Sequence, residues 1–473
     1  MSISMTIDGV RAVETATFPV IDPSTGASFA DAPDCSDAQL DAAVKSSERA
    51  FALWRWDDDA RRSAMTAAAS VLENAAPDLG ALLTREQGKI LPEAIGEILQ
   101  SAQWLRYYAD MKIPTEVLQD DDIAHIEVVR EAIGPVAAIT PWNAPVGLAF
   151  WKIAPALRSG NTVVVKPSPF TPLTTLRIGE LLAPVLPAGV LNVISGLDPL
   201  GAKLSSHPGI RKVSFTGSTA SGRKVAMAAA EDLKRVTLEL GGNDPAILLD
   251  DVDVETAAAG IFGSAMTNVG QICVAVKRVY VPRRLYGDVV AALVERAGRV
   301  RLGNGLVEGV THGPVNNPLQ LDRVKSLVSS AVDGGARIAS GGKGLDGPGY
   351  FHEPTILTNV TDEMAVVAEE QFGPVLPVLP YDDVDEAIHR ANATHFGLGS
   401  SIWTSDLERG GQLARRVEAG TTWVNAHLYL LPNLPFGGVK QSGLGVENGP
   451  WGLHEFTTLH VLYQNRMAGT PWS

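Results

Sequence analysis

Five short apolar segments, at 136–140, 162–165, 191–194, 212–215 and 236–240, recur at regular intervals with helical stretches between them. Buried strands alternating with helices predict an open parallel sheet covered on both faces, an α/β fold. In such a sheet ligands bind beyond the carboxyl ends of the strands. The informative residues are therefore those that follow each strand: Pro141-Trp142-Asn143, Lys166-Pro167-Ser168, Thr216-Gly217-Ser218 and Glu239-Leu240-Gly241-Gly242. All four turns carry polar or glycine chemistry.

A second βα series follows, with a strand at 245–249, a helix at 254–266 that Asp253 can cap, and a strand at 277–281. Upstream, Ser36-Asp37-Ala38-Gln39 reads as a capping box opening a helix with Leu40, Val44, Phe51 and Trp54 on one face. A second helix starts near Pro92 and is expected to carry Ile95, Ile98, Leu99, Ala102, Leu105 and Tyr108 inward. Alternation at 122–130 predicts a strand with one wet face on a projecting hairpin, and the chain closes with an apolar strand around Leu459, Val461 and Tyr463. No repeat of fixed period is evident.

At 473 residues the chain has room for two or three domains, and its formal charge of −14 argues against nucleic acid or anionic lipid as a partner. The first twenty residues lack the apolar core of a signal peptide, and the apolar run at 146–157 is cut by Lys152. A cytoplasmic protein with no membrane segment is the expectation. Two cysteines cannot make a metal cluster, and the nine histidines show no close pair at ligand spacing, so no metal is expected.

One of those cysteines lies in the turn Thr267-Asn268-Val269-Gly270-Gln271-Ile272-Cys273-Val274. A lone cysteine is most often a small buried hydrophobe. In a polar, glycine-containing turn after a helix it is also a candidate nucleophile, because a thiolate attacks carbonyls and later leaves them. Taken singly, Asn143 reads as an Asx turn before Pro145, Glu239 as a capping or solvated charge, and Lys152 as a snorkelling lysine.

Together these strings resemble the aldehyde dehydrogenase superfamily, NAD(P)-dependent enzymes that oxidise aldehydes to carboxylic acids. The resemblance runs through Pro141-Trp142-Asn143, Lys166-Pro167-Ser168, Phe215-Thr216-Gly217-Ser218 and Leu238-Glu239-Leu240-Gly241-Gly242. It continues through Gly270-Gln271-Ile272-Cys273 and Glu370-Gln371-Phe372-Gly373-Pro374 to Pro435-Phe436-Gly437-Gly438, in family order. It implies a Rossmann-like cofactor domain at 1–113 and 133–241, a catalytic domain at 242–441, and an oligomerisation element at 114–132 and 456–473. A homodimer or homotetramer is implied.

By the same resemblance Cys273 is the nucleophile, and the Asn143 amide with the Cys273 backbone N–H stabilises the oxyanion of its aldehyde adduct. Glu239 is the base for the water that hydrolyses the thioester, and Lys152 lends electrostatic support. Gly217 and Ser218 would let a helix N-terminus meet the cofactor pyrophosphate, with Lys166 and Ser168 toward the adenosine ribose and Glu370 and Phe372 around the nicotinamide ribose and ring. Thr140, Pro141, Trp142 and Leu240 complete the cofactor set. A carboxylate base favours hydrolysis to a free acid over acyl transfer to another acceptor. The alternatives are a thioester hydrolase or acyl transferase without redox chemistry, and a non-catalytic binding protein on the same fold.

Many relatives place Glu after the Lys-Pro-Ser triplet, where it holds the adenosine ribose hydroxyls; here that residue is Pro169. Proline cannot repel a 2′-phosphate, so both NAD and NADP stay open as cofactor, with Lys166 as a phosphate partner. Thr458 stands where some relatives carry an acid. Matching positions line the substrate pocket with Ala144, Leu148, Trp151, Ile272, Val274, Leu428, Leu430 and Phe436, none of them charged. Such a lining favours a neutral aliphatic, terpenoid or aromatic aldehyde, although at about 1–3 kcal/mol per methylene it discriminates weakly among them.

Overall fold

A computed structural model describes residues 3–13 and 16–467. Glu14 in the lead-in and the last part, 468–473, of the expected oligomerisation element lie outside the described residues. Within them the predicted alternation becomes an eight-stranded sheet whose five central strands are all parallel, in the order Arg235–Glu239, Lys212–Thr216, Pro135–Ile139, Thr162–Lys166, Leu191–Val193. These strands are hydrophobic because helices cover both faces: Val136, Val163, Val164, Val165 and Val213 are fully buried. Each such side chain stabilises the fold by about 1.5–3 kcal/mol relative to exposure.

The first strand in sequence, Pro135–Ile139, is flanked by the second on one side and the fourth on the other. The order reverses there. This reversal opens a crevice beyond the carboxyl ends, and the turns at 141–143 and 216–218 both emerge at it.

A second sheet of seven strands is built from the later series, with Asp244–Leu248 between Val276–Pro282 and Gly399–Trp403. It is parallel except at the edge strand Arg337–Ser340. The chain leaves the first sheet at Glu239 and enters the second at Asp244, so the carboxyl end of one sheet faces the amino end of the other across residues 240–243. Gly443–Leu444 then returns to pair with Arg235–Glu239.

The strand Ala124–Ala132 forms a hairpin with Glu116–Asp120 and is covered on its other edge by Thr457–Asn465. Leu459, Val461 and Tyr463 on that closing strand are 63%, 57% and 53% exposed, an apolar row on a sheet edge. Among the described residues no helix is long and apolar enough to cross a membrane.

Local signals behave as their chemistry dictates. Ser36 and Gln39 form the reciprocal capping box on helix Asp37–Trp54, and Asp253 caps Val254–Met266. One expectation is corrected: on helix Leu91–Asp110, Leu99 is 45% exposed and Glu97 turns inward. The reason is charge satisfaction, because Glu97 meets Lys89 and the N-terminus of the neighbouring helix Pro145–Arg158.

Candidate active site

A cleft of about 640 Å³ occupies the seam between the two sheets. Nine residues singled out in the sequence line it: Pro141, Trp142, Asn143, Gly217, Ser218, Glu239, Cys273, Glu370 and Phe372. Thr216, Thr219, Gly241, Gln320, Arg323, Glu369, His395 and Phe396 complete the wall. Thr140, Lys152, Lys166, Ser168 and Leu240 are buried behind or beside it.

The cysteine turn is held in an unusual conformation. Asn268, Val269 and Gly270 have φ of +49°, +59° and +72°. A β-branched residue there is strained, at roughly 1–3 kcal/mol. The surroundings over-determine it: Asn268 Nδ2 donates to the Asn143 carbonyl at 2.9 Å, and Gln271 Nε2 to the Asn268 carbonyl at 3.0 Å. The Asn316 N–H donates back to Gln271 Oε1 at 2.8 Å. Cys273 follows, partly exposed to the cleft, and both it and Cys35 are free thiols.

Asn143 is gripped from the other side as well. Lys89 Nζ donates to its carbonyl at 3.0 Å and to Glu97 Oε2 at 2.5 Å. Glu97 Oε1 accepts the Val146 and Gly147 N–H groups, each at 2.9 Å. Helix Pro145–Arg158 has no side-chain cap of its own, so Glu97 supplies one from another helix. The backbones of Asn143 and of the cysteine turn are thereby tied together.

Glu239 ends its strand with 1% exposure and no hydrogen-bond partner on either carboxylate oxygen besides the Cys273 thiol. Burial pushes it up to about 8, and the Cys273 thiol beside it pulls the other way. The thiol itself is pushed well above its ordinary range by burial and by the Glu239 charge. Burial thus favours the neutral form of both groups, and Glu239 accepts a proton only once it has ionised.

Behind Glu239, Lys152 is fully buried, with Nζ donating to Glu447 Oε1 at 2.5 Å and to Thr216 Oγ1 at 2.8 Å. Glu447 carries no signal in the sequence, because its partner lies almost three hundred residues away. Lys277, which the sequence marks only as the start of a strand, sits directly beneath the cysteine turn; a charged residue opening an apolar strand is the available hint.

Ser218 caps helix Thr219–Ala230 by accepting the Ser221 N–H at 3.2 Å, and the helix N-terminus opens on the cleft. That end carries partial positive charge and suits a phosphate group. Gly241 leaves the room that the Glu370 carboxylate fills, since a Cβ there would collide with it. Glu370 Oε1 accepts the Gly242 N–H at 3.2 Å, and burial raises the carboxyl to about 7. Phe372, at φ +50°, packs edge-on against Trp142 with ring centres 5.2 Å apart. A helix terminus, a carboxylate and an aromatic ring along one cleft could hold a dinucleotide, its phosphates by Gly217 and Ser218 and its other end by Glu370 and Phe372. Lys166 is buried, donates to the Pro167 carbonyl at 3.2 Å, and is brought down to about 8 by desolvation. Among the described residues no cluster of three or more His, Cys, Asp or Glu is arranged to hold a metal ion.

Of the residues expected around the substrate, Trp151 stacks on Trp104 at 5.9 Å and meets Phe436 edge-on at 5.4 Å. Ala144, Ile272, Leu428 and Leu430 pack on the same apolar cluster as Cys273. Leu148 and Val274 are buried within it.

The model of the aldehyde dehydrogenase family matches residues 10–462. Phenylacetaldehyde dehydrogenase of Pseudomonas fluorescens is 39% identical, over 96% of this chain and 93% of its own. The NAD+ complex of an aldehyde dehydrogenase from Bacillus cereus superposes with a TM-score of 0.96 at 37% identity, covering 98% of this chain and 97% of that one. An NADP-dependent enzyme of E. coli superposes with a TM-score of 0.96 at 34% identity, covering 98% of each chain.

Proposed function

The chain belongs to the aldehyde dehydrogenase family as an NAD(P)-dependent enzyme, and on that premise we propose that it oxidises neutral, largely apolar aldehydes to carboxylic acids through Cys273 and Glu239. The observation that carries the reading is the pairing of a cleft-facing thiol with a buried carboxyl whose oxygens have no other partner.

Cys273 Sγ bonds to the aldehyde carbon as its proton leaves to solvent. The Asn143 amide and the Cys273 N–H receive the charge that develops on oxygen, and the Lys89 and Asn268 clamps fix the backbone that carries the Asn143 amide. Bound NAD(P) supplies the acceptor for the hydride that leaves this carbon, and a thioester on Cys273 remains. Glu239 then takes a proton from a water whose oxygen bonds to the acyl carbon. The C–S bond breaks, the sulfur regains a proton and the acid departs.

The preference for apolar substrates rests on the uncharged cluster of Ala144, Leu148, Trp151, Ile272, Val274, Leu428, Leu430 and Phe436 packed beside Cys273 and on the likeness to a phenylacetaldehyde dehydrogenase. Pro169 brings no charge to the ribose end, so neither NAD nor NADP is excluded there. The hairpin at 114–132 and the exposed row Leu459, Val461 and Tyr463 support an oligomerisation element and a homodimer or homotetramer. Two separate free thiols suit the reducing cytoplasm.

The test is a panel of aliphatic, aromatic and carboxylate-bearing aldehydes assayed separately with NAD and NADP. Turnover should favour the uncharged members and disappear in Cys273→Ala. Equal rates on carboxylate-bearing aldehydes would overturn the substrate class, and unchanged turnover in Cys273→Ala would overturn the mechanism.

A further inference from the structure

Lys277 sits in the parallel strand Val276–Pro282 and is 1% exposed. A buried ammonium is costly unless it is partnered, and its partners are all in or under the cleft. Nζ donates to the Ile272 carbonyl at 2.5 Å and lies 3.5 Å from the Cys273 carbonyl. Glu370 Oε1 is 4.0 Å away, and the centre of the Phe372 ring 5.6 Å.

Two consequences follow from this placement. A trans peptide points its C=O and N–H in opposite directions. By holding the Ile272 carbonyl, Lys277 turns the N–H of Cys273 away from itself and fixes the backbone donor of the oxyanion site. Secondly, its charge is only partly neutralised, because Glu370 stands at the outer limit of ion pairing while Lys152 and Glu447 are in full contact.

Other charged groups surround the turn. Glu239 and Glu370 face the thiol from the first sheet and the 369–374 loop. Lys152 and Glu447 lie behind Glu239. The Asp244–His427 pair stands behind Val274, with His427 Nε2 at 2.8 Å from its carbonyl. Glu93 approaches the Asn268 N–H, and the Lys89–Glu97 pair lies beyond. Against the two carboxylates facing the thiol, Lys277 is the group that favours its ionised form.

We propose that Lys277 is a positioning residue for the reaction, orienting the Cys273 N–H through the Ile272 carbonyl and lending its charge to the Cys273 thiol, and that Glu370 competes with the thiol for that charge. This rests on Cys273 being the nucleophile. Its test needs neither aldehyde nor cofactor, so its failure is separable from loss of turnover in Cys273→Ala.

The readout is the pH dependence of iodoacetamide alkylation, followed at the Cys273 peptide by mass spectrometry. Lys277→Met should move the midpoint upward by about one pH unit, a roughly tenfold slower alkylation at fixed pH below it, and Lys277→Arg should restore it. Glu370→Gln should move it downward, whereas Asp382→Asn, an exposed carboxylate paired with Arg283 outside the cleft, should leave it in place. A folded Lys277→Met variant with the wild-type midpoint would overturn the proposal. If that variant does not fold, an unmoved midpoint in Glu370→Gln would overturn it, and a downward shift confined to Glu370→Gln supports it.

Discussion

Glu239 and Glu447 are both glutamates buried behind the same cleft, 1% and 3% exposed, yet the fold treats them in opposite ways. Glu447 is met by Lys152 at 2.5 Å and approached by Ser214 at 3.4 Å. Glu239 has no partner but the Cys273 thiol. A carboxylate matched to a lysine is fixed in place and charge and serves the architecture. One buried beside a thiol with no cation in contact is pushed up by desolvation and can exchange its proton with the cleft. Lys152 stands between the two, paired with Glu447 while its charge also favours ionised Glu239.

The two carboxyls should diverge most at Glu239→Gln. Removing the base should lower kcat by about 10²–10⁴-fold, measured as steady-state NAD(P)H production, while alkylation of Cys273 persists. Lys152→Met should instead act on folding. It leaves Glu447 charged and unpaired in the interior, a loss of about 3–5 kcal/mol, read from the urea midpoint. If Lys152→Met were as stable as wild type, Glu447 would not be a structural partner of that lysine.

The last expected effect is a pH dependence of stability. A carboxyl at about 8 in the folded state and 4.5 in the unfolded one favours folding when neutral. That contribution is intact below about pH 4.5 and is lost progressively as pH rises toward 8. Glu239→Gln removes the loss, so its Tm advantage over wild type should be larger at pH 9 than at pH 5. A difference that does not change with pH would mean that Glu239 is solvated in the folded protein.

Much of this site is legible in the amino-acid sequence, for a topological reason. In a parallel sheet the residues after each strand must meet at one end, so Asn143, Gly217, Ser218 and Glu239 can be gathered from strand positions alone. Cys273, from the start of a strand in the other sheet, joins them through the resemblance. The supporting charges are not legible. Glu447 and the Lys89–Asn143 contact act between distant segments, and a single chain shows no local mark of such pairing; Lys277 reaches back only five residues, to Ile272, yet reads as an ordinary strand residue. Periodicity misplaces Leu99 for the same reason: it favours an apolar residue inward, while the unfilled N-terminus of Pro145–Arg158 requires Glu97. Glu239 reads as a solvated charge taken alone, and only its burial with no partner but the Cys273 thiol sets it apart.

The division of labour between the two glutamates is tested most directly by a single-turnover measurement on Glu239→Gln with an aromatic aldehyde and saturating NAD. The expected result is a burst of about one NADH per site, since hydride transfer does not need the base, followed by a stalled steady state. The Cys273 peptide should then carry the mass of the acyl group. A wild-type steady rate with no acyl adduct on Cys273 would contradict that division.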